Sequence, residues 1–351
     1  MKETLHSQDG SGQILDKPKK KQGLGLVLGL LLGGWALWLA SRGVNWNHLW
    51  AAMRSIDLRW LGMALGCVLL NLLVLTLRWR LLFYPQHTER SWLNLFRGIV
   101  IGQALNVIAP GRIGEFARAY AIGTTEGISK AKAIGTIIVE KVMDMAALMM
   151  ATLVLWESIT PPSWAIGLGH ALMWITAIAT VALLFIALRS ELSLLWMRRL
   201  SAFMPQKAEE FLAKYAQLVI AGFSAICYRW VHGCLWALSF LLLLFSVLTN
   251  YFLFRAFGLT LPVSAALFLL VVLQIGSAPP SLPGKFGVFH YLTVLALTSF
   301  MVDRNIALAY SVVLYCVAIL SKIIMASLFL YLPFLWHESK NGALANTLGR
   351  E

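Results

Sequence analysis

The sequence predicts an all-α polytopic membrane protein with about six full spans and two inverted re-entrant or broken helical hairpins. Three observations lead there. Of 351 residues, 59% are hydrophobic and only 13% charged, whereas a soluble domain carries nearer ~25% charged residues. Apolar runs recur along most of the chain, and several reach the ~20 residues that cross hydrocarbon as a helix. Two of these runs are interrupted in the same way: Pro110-Gly-Arg-Ile-Gly-Glu-Phe116 aligns with Pro283-Gly-Lys-Phe-Gly-Val-Phe289 as Pro, Gly, cation, bulky apolar residue, Gly and Phe.

Residues 1–22 are polar, include Lys17, Lys19, Lys20 and Lys21, and read as a basic cytoplasmic tail. Residues 23–334 form a single transmembrane domain. Its first span is 23–40. Residues 42–59 return as a polar connector holding an interfacial helix, with Trp46, Leu49, Trp50, Met53 and Ile56 on one face. The second span is 60–77, and Arg78, Arg80 and Arg90 follow it as cytoplasmic flank. At about 1.5 Å per residue, 98–109 and 113–123 are too short to cross. They form a hairpin entered from the cytoplasm, with Pro110 and Gly111 at its tip. Spans 133–156 and 164–188 follow, and 189–229 is a cytoplasmic, partly interfacial linker between the halves. Span 231–254 crosses outward. Segments 263–278 and 286–302 flank Pro283-Gly284 as the second hairpin, although their length also admits two full spans. Span 306–332 returns to a polar tail at 335–351. Three full spans separate the Pro-Gly motifs, and an odd number inverts the second copy relative to the first. Both termini are expected in the cytoplasm, and the membrane to be the cell (inner or plasma) membrane.

A Pro-Gly step stops a helix, and the freed backbone groups need protein or water as partners because hydrocarbon offers none. A polar cavity is therefore expected, shaped by Pro110, Gly111, Gly114, Pro283, Gly284 and Gly287. Paired broken elements in two inverted halves point to a transport site at the repeat interface. The helix that restarts after Gly111 aims unpaired N–H groups into the cavity beside Arg112, a phosphate-binding arrangement. Arg112, Glu115, Arg118, Lys285 and Asn106 are accordingly the candidate substrate-binding residues. Glu140, Lys141, Asp144 and His290 form the candidate coupling or charge network. Ionisable residues inside apolar segments are rare, inward-facing and paired; Glu140 and Asp144 share one helical face, as do Glu115 and Arg118. The same residues also fit a structural ion-pair network that staples the hairpin to the next span.

The net charge of +13 follows from cations flanking apolar spans, which the positive-inside rule and anionic headgroups account for without nucleic acid. The four cysteines lack metal-ligand spacing. No Walker loop, nucleophile elbow or extramembrane carboxylate pair occurs, so neither cofactor, metal nor enzymatic activity is expected. A lipid transporter is the leading reading; an intramembrane enzyme using Glu140 and Asp144, or a scaffold for a cell-envelope glycolipid synthase, are the alternatives.

The order Asn106-x3-Pro110-Gly111-Arg112-x-Gly114-Glu115-x2-Arg118, then Glu140-Lys141-x2-Asp144, then Pro283-Gly284-x2-Gly287-Val288 resembles the lysylphosphatidylglycerol synthase transmembrane region family in its stand-alone form, over nearly the whole chain. The resemblance implies translocation of a membrane lipid, such as an aminoacylated phospholipid or a polyprenyl-linked glycolipid, with cell-envelope biosynthesis enzymes as possible partners. His290 stands where the family often has Glu. No aminoacyl-transferase domain follows, so lysyl-lipid synthesis is not expected.

Overall fold

A computed structural model describes residues 31–86, 88–108, 113–158, 228–276 and 285–329, with a few isolated positions between 166 and 225. The described residues are helical with no strand: α1 (Leu31–Ser41), α2 (Trp46–Arg54), α3 (Leu58–Leu81), α4 (Trp92–Ile108), α5 (Gly114–Thr125), α6 (Lys130–Ser158), α7 (Arg229–Ala256), α8 (Val263–Gly276), α9 (Val288–Thr298) and α10 (Arg304–Phe329).

Among these, α3, α7 and α10 are long and apolar enough to cross a membrane. They match the expected spans 60–77, 231–254 and 306–332. Helix α6 is the longest, at 29 residues, but it carries Glu140, Lys141 and Asp144 within its apolar sequence. Span 23–40 is described only from residue 31, and span 164–188 with most of the linker 189–229 lies outside the described residues, as do both tails.

The packing of α3 shows how an apolar helix sorts its faces in lipid. Leu65, Leu69, Leu73 and Leu77, four residues apart, are exposed toward the bilayer, while Ala64, Val68, Leu72, Leu75 and Trp79 are buried. Because lipid tails are as apolar as leucine, polar contacts help fix helix pairs. Asn71 Nδ2 donates to Leu242 O at 2.9 Å and to Ser246 Oγ at 3.2 Å, joining α3 to α7. Tyr310 Oη donates to Asn250 O at 3.1 Å, joining α10 to α7.

Two apolar clusters lie at opposite ends of this frame. One gathers Val247, Leu253 and Phe254 of α7, Ala64 and Val68 of α3, Ala307 to Val317 of α10, and the apolar faces of α8 and α9. The other gathers Leu72 to Leu82 of α3, Leu95 to Ala104 of α4, Ala119 and Ile122 of α5, Val231 to Leu242 of α7, and Ala326 of α10. The connections agree with this division. At the near end, Asp57 N donates to Ala256 O at 3.0 Å, Asn45 N to Asn305 Oδ1 at 2.7 Å, and Arg304 to Leu39 O. At the far end, Asn94 Nδ2 donates to Glu126 Oε1 at 2.6 Å and Arg90 Nη1 to Glu126 O at 3.1 Å, while Tyr84 packs on Tyr228 and Phe96 on Phe329.

Hence α4 and α5 enter and leave at the far end, and α8 and α9 at the near end. The two hairpins are inverted, as the parity of the spans predicts. The second hairpin's arms have 14 and 11 residues, about 21 and 17 Å of helix. That is short of the ~30 Å hydrocarbon core, which favours the re-entrant form over two full spans. The residues at the tips, Ala109 to Arg112 and 277–284, and with them Pro110, Gly111, Pro283 and Gly284, lie outside the described residues.

Helix α2 lies at the near end. Leu49 is buried, and Met53 and Ile56 pack on the core, whereas Trp46 and Trp50 are exposed. The expected single apolar face is therefore divided between the bundle and an outward aromatic edge suited to the membrane interface.

The arms of the first hairpin close on glycine. A Cβ on Gly114 would stand 1.9 Å from Gly102 O, and one on Gly102 would stand 2.9 Å from Gly114 O. Gly114→Ala therefore requires the arms to separate and is expected to cost about 1–3 kcal/mol, the range for overpacking. Gly66→Ala, which meets nothing within 4 Å, is expected to be neutral. Thermal unfolding of the two variants in detergent checks this contrast; equal midpoints would contradict the close approach.

Candidate functional site

The first-hairpin motif is arranged by Asn106. Its Oδ1 accepts from Gly114 N at 2.9 Å, capping the start of α5, and its Nδ2 donates to Glu115 Oε1 at 3.2 Å. One amide thus holds the end of α4 to the beginning of α5 across the tip. The cap satisfies a backbone N–H that would otherwise lack an intrahelical partner. Gly114, expected as a helix break, is the first residue of α5 and the point where the arms touch.

One turn further along α5, Arg118 faces α6. Its Nη2 donates to Glu140 Oε2 at 2.7 Å and its Nη1 to Glu140 Oε1 at 3.3 Å, a bidentate pair with both side chains at most 2% exposed. The guanidinium also lies over the Trp79 ring at 4.1 Å, and Trp79 Nε1 donates to Thr136 Oγ1 at 3.1 Å. A planar, delocalised cation can pair edge-on and stack face-on at once, which a lysine cannot reproduce.

A second arginine completes the frame. Arg78, fully buried, donates through Nη1 to Asp144 Oδ1 at 2.6 Å and to Ser239 Oγ at 3.0 Å, and its Nη2 lies 3.9 Å from Glu140 Oε1. Its place differs from the sequence expectation of a loop flank beside Arg80. The helical register explains the difference: Arg78 follows buried Leu75 by three residues and precedes buried Leu82 by four, whereas Arg80 follows exposed Leu77 by three. The face of α3 was the available signal.

The carboxylates and Lys141 grade outward from this dry centre. Glu140 is 1% exposed, while the Asp144 and Lys141 side chains are 41% and 37% exposed. Lys141 Nζ is 3.1 Å from Glu115 Oε1 and 3.5 Å from Glu140 Oε1. Asn106, Glu115, Arg118, Glu140, Lys141 and Asp144 therefore form one connected network, extended by Arg78, Trp79 and Ser239. Arg112 lies outside the described residues.

The second hairpin contributes different chemistry. His290 is buried, its Nδ1 is 3.0 Å from Ser311 Oγ, and it is ringed by Phe286, Phe289 and Tyr315. None of these contacts is with the Glu140 network. Lys285 is half-buried just ahead of α9, in left-handed backbone at φ 58°. Gly287, at φ 85°, meets α1 so closely that a Cβ would stand 1.9 Å from Gly33 O, so glycine is required there on both counts. The second hairpin reaches the charged helix through α8, which packs on α6.

Fold and site together define a polytopic helical membrane protein with an ion-paired polar site inside its apolar frame. The profile of the family described as Lysylphosphatidylglycerol synthase TM region matches residues 26–324. The chain belongs to that family. No curated protein matches it.

Glu140 is the acceptor two buried arginines share. Removing it strands Arg118 and leaves Arg78 to Asp144, so Glu140→Ala is expected to destabilise the protein by about 3–5 kcal/mol, the range for breaking a buried pair. The double replacement Arg118→Met, Glu140→Leu should recover part of that loss. Unfolding midpoints of the singles and the double test this; strictly additive losses would contradict the pair.

Proposed function

We propose that the protein is a lipid transporter of the flippase kind, moving an anionic phospholipid or a polyprenyl-phosphate-linked glycolipid between leaflets. The headgroup would pass through the charged cleft beside α6 while the acyl tails stay in the bilayer. One observation carries this reading: two hairpins inserted from opposite ends both rest against α6, the helix that bears Glu140, Lys141 and Asp144. Such inverted, interrupted elements allow one hairpin to move against a fixed wall while the other stays closed, which alternating access requires.

The division of labour follows from the gradation of burial. Arg78, Arg118 and Glu140 would hold the wall together. Lys141, Glu115 and Asp144, together with Arg112, would meet the headgroup and any coupling proton. In the absence of an ATP-binding motif, the driving force would be an ion gradient or the lipid's own concentration difference. The intramembrane-enzyme alternative draws less support, because Glu140 is enclosed by two guanidiniums and would lack access as an acid or base. The far end, which carries Arg80, Arg90, Lys130 and Lys132, would face the cytoplasm of the cell membrane together with both termini. Cell-envelope enzymes that make or consume the lipid would be its partners.

The test uses proteoliposomes containing fluorescent phosphatidylglycerol and a membrane-impermeant quencher. Glu115→Gln, Lys141→Gln and Arg112→Ala are each expected to slow translocation about tenfold or more, because each removes a charge-assisted contact of ~1.5–3 kcal/mol. Rates equal to the wild type in all three folded variants would contradict the reading.

A further inference from the structure

We propose that Arg97 holds the phosphodiester of a phospholipid from the leaflet at the far end, on the outer side of α4 and apart from the Glu140 network. The inference does not rest on the transport reading. It carries no preference among headgroups, because the phosphodiester is the part they share.

Arg97 is the sixth residue of α4, a 17-residue apolar helix without an acidic residue. The buried arginines Arg78 and Arg118 pair with carboxylates. Arg97 makes no hydrogen bond, ion pair or ring contact among the described residues, and its Nε is buried without an acceptor. A buried N–H left open is unfavourable and calls for a partner.

The helical register says where that partner comes from. Leu93 and Ile101, one turn before and one turn after Arg97, lie on its side of α4; Leu93 is exposed and Ile101 half-buried. Leu95, Phe96, Ile99 and Val100 turn inward. The face toward the ion-paired site is marked by Gly98, where a Cβ would stand 3.7 Å from Arg118 Cγ, and that face lies about 100° round the helix from Arg97. Arg97 therefore borders lipid, not the Glu140 network.

Depth agrees with this. Five residues beyond Trp92, the Arg97 backbone is about 7.5 Å along α4. Helical side chains lean toward the N-terminus, which for α4 is the far-end interface, so the long stem carries the guanidinium back outward. Trp92, stacked on Phe96 with ring centroids 5.1 Å apart, marks the interfacial level. The guanidinium is thus delivered to the depth of lipid phosphates. A phosphodiester has two free oxygens, and one edge of a guanidinium offers Nε–H and Nη–H in the matching fork. The acyl chains of the same lipid would run on past Ile101.

The test is native mass spectrometry of the delipidated full-length protein in detergent, titrated with short-chain phosphatidylglycerol and, for comparison, with diacylglycerol of the same chains. Detergent has no second compartment, so the result is independent of translocation, and bound lipids are counted, so one lost at Arg97 is read separately from any held in the cleft. Arg97→Gln is expected to weaken binding of one phosphatidylglycerol about tenfold or more. Arg97→Lys, which keeps the charge but not the fork, should weaken it by a few-fold. Lys130→Gln, which removes an exposed charge at the same end, should leave it unchanged. Arg97→Met is measured beside Arg97→Gln so that misfolding of one variant does not decide the result. Glycerol phosphate, the competitor without chains, is expected to be weaker than the lipid by about tenfold or more. Wild-type-like binding in folded Arg97→Gln and Arg97→Met, an equal loss in Lys130→Gln, diacylglycerol retained as well as phosphatidylglycerol, or glycerol phosphate competing as well as the lipid would each overturn the assignment.

Discussion

Glu140 is a buried carboxylate in a membrane helix, and the arrangement around it depends on keeping that charge matched. Isolated in hydrocarbon it would be strongly unfavourable. Arg118 meets it from α5 and Arg78 approaches from α3, so three helices have fixed relative positions. The first hairpin therefore cannot drift from α6 without uncovering charge. The stacking of Arg118 on Trp79, whose indole N–H donates to Thr136 Oγ1, gives the pair a defined orientation as well as a partner. A purely apolar interface of the same area would hold the helices together but would leave their rotation less specified.

The two hairpins are related by inversion yet held by different forces. The first is clamped by ions, an amide cap and a Gly102–Gly114 crossing. The second is held by apolar packing, an imidazole–hydroxyl contact at Ser311 and the Gly287–Gly33 approach. Ion pairs in a low-dielectric setting resist separation, whereas apolar surfaces can exchange protein for lipid at little cost. Within the proposed transport cycle, that makes the second hairpin the easier of the two to move, with α6 and the first hairpin as the stationary wall.

Much of this was legible in the sequence because membrane physics constrains it tightly. Hydropathy marked α3, α7 and α10, and the Pro-Gly steps marked both hairpins. The parity of the spans gave their inversion before any contact was known. The spacing of Glu140 and Asp144, and of Glu115 and Arg118, marked residues that the structure joins through ion pairs with Arg78, Lys141 and one another. Pairing across helices was less accessible, since no local pattern says that Arg118 meets Glu140 or that Asn106 caps α5. Arg78 was hidden by its neighbour Arg80: two arginines at a span end read as flank until the buried face of α3 separates them. His290 stood out in sequence as a titratable residue, yet its surroundings are aromatic rings and a serine.

The inverted insertion of the hairpins is the claim on which the transport reading stands, and topology measures it directly. In a cysteine-free background, single cysteines would replace Glu89, in the far-end loop beside the first hairpin, and Met301, in the near-end loop beside the second, where it is 94% exposed. Sealed vesicles of known orientation would then be treated with a membrane-impermeant maleimide. The account predicts labelling of the two positions from opposite faces of the membrane. Labelling of both from the same face would contradict it.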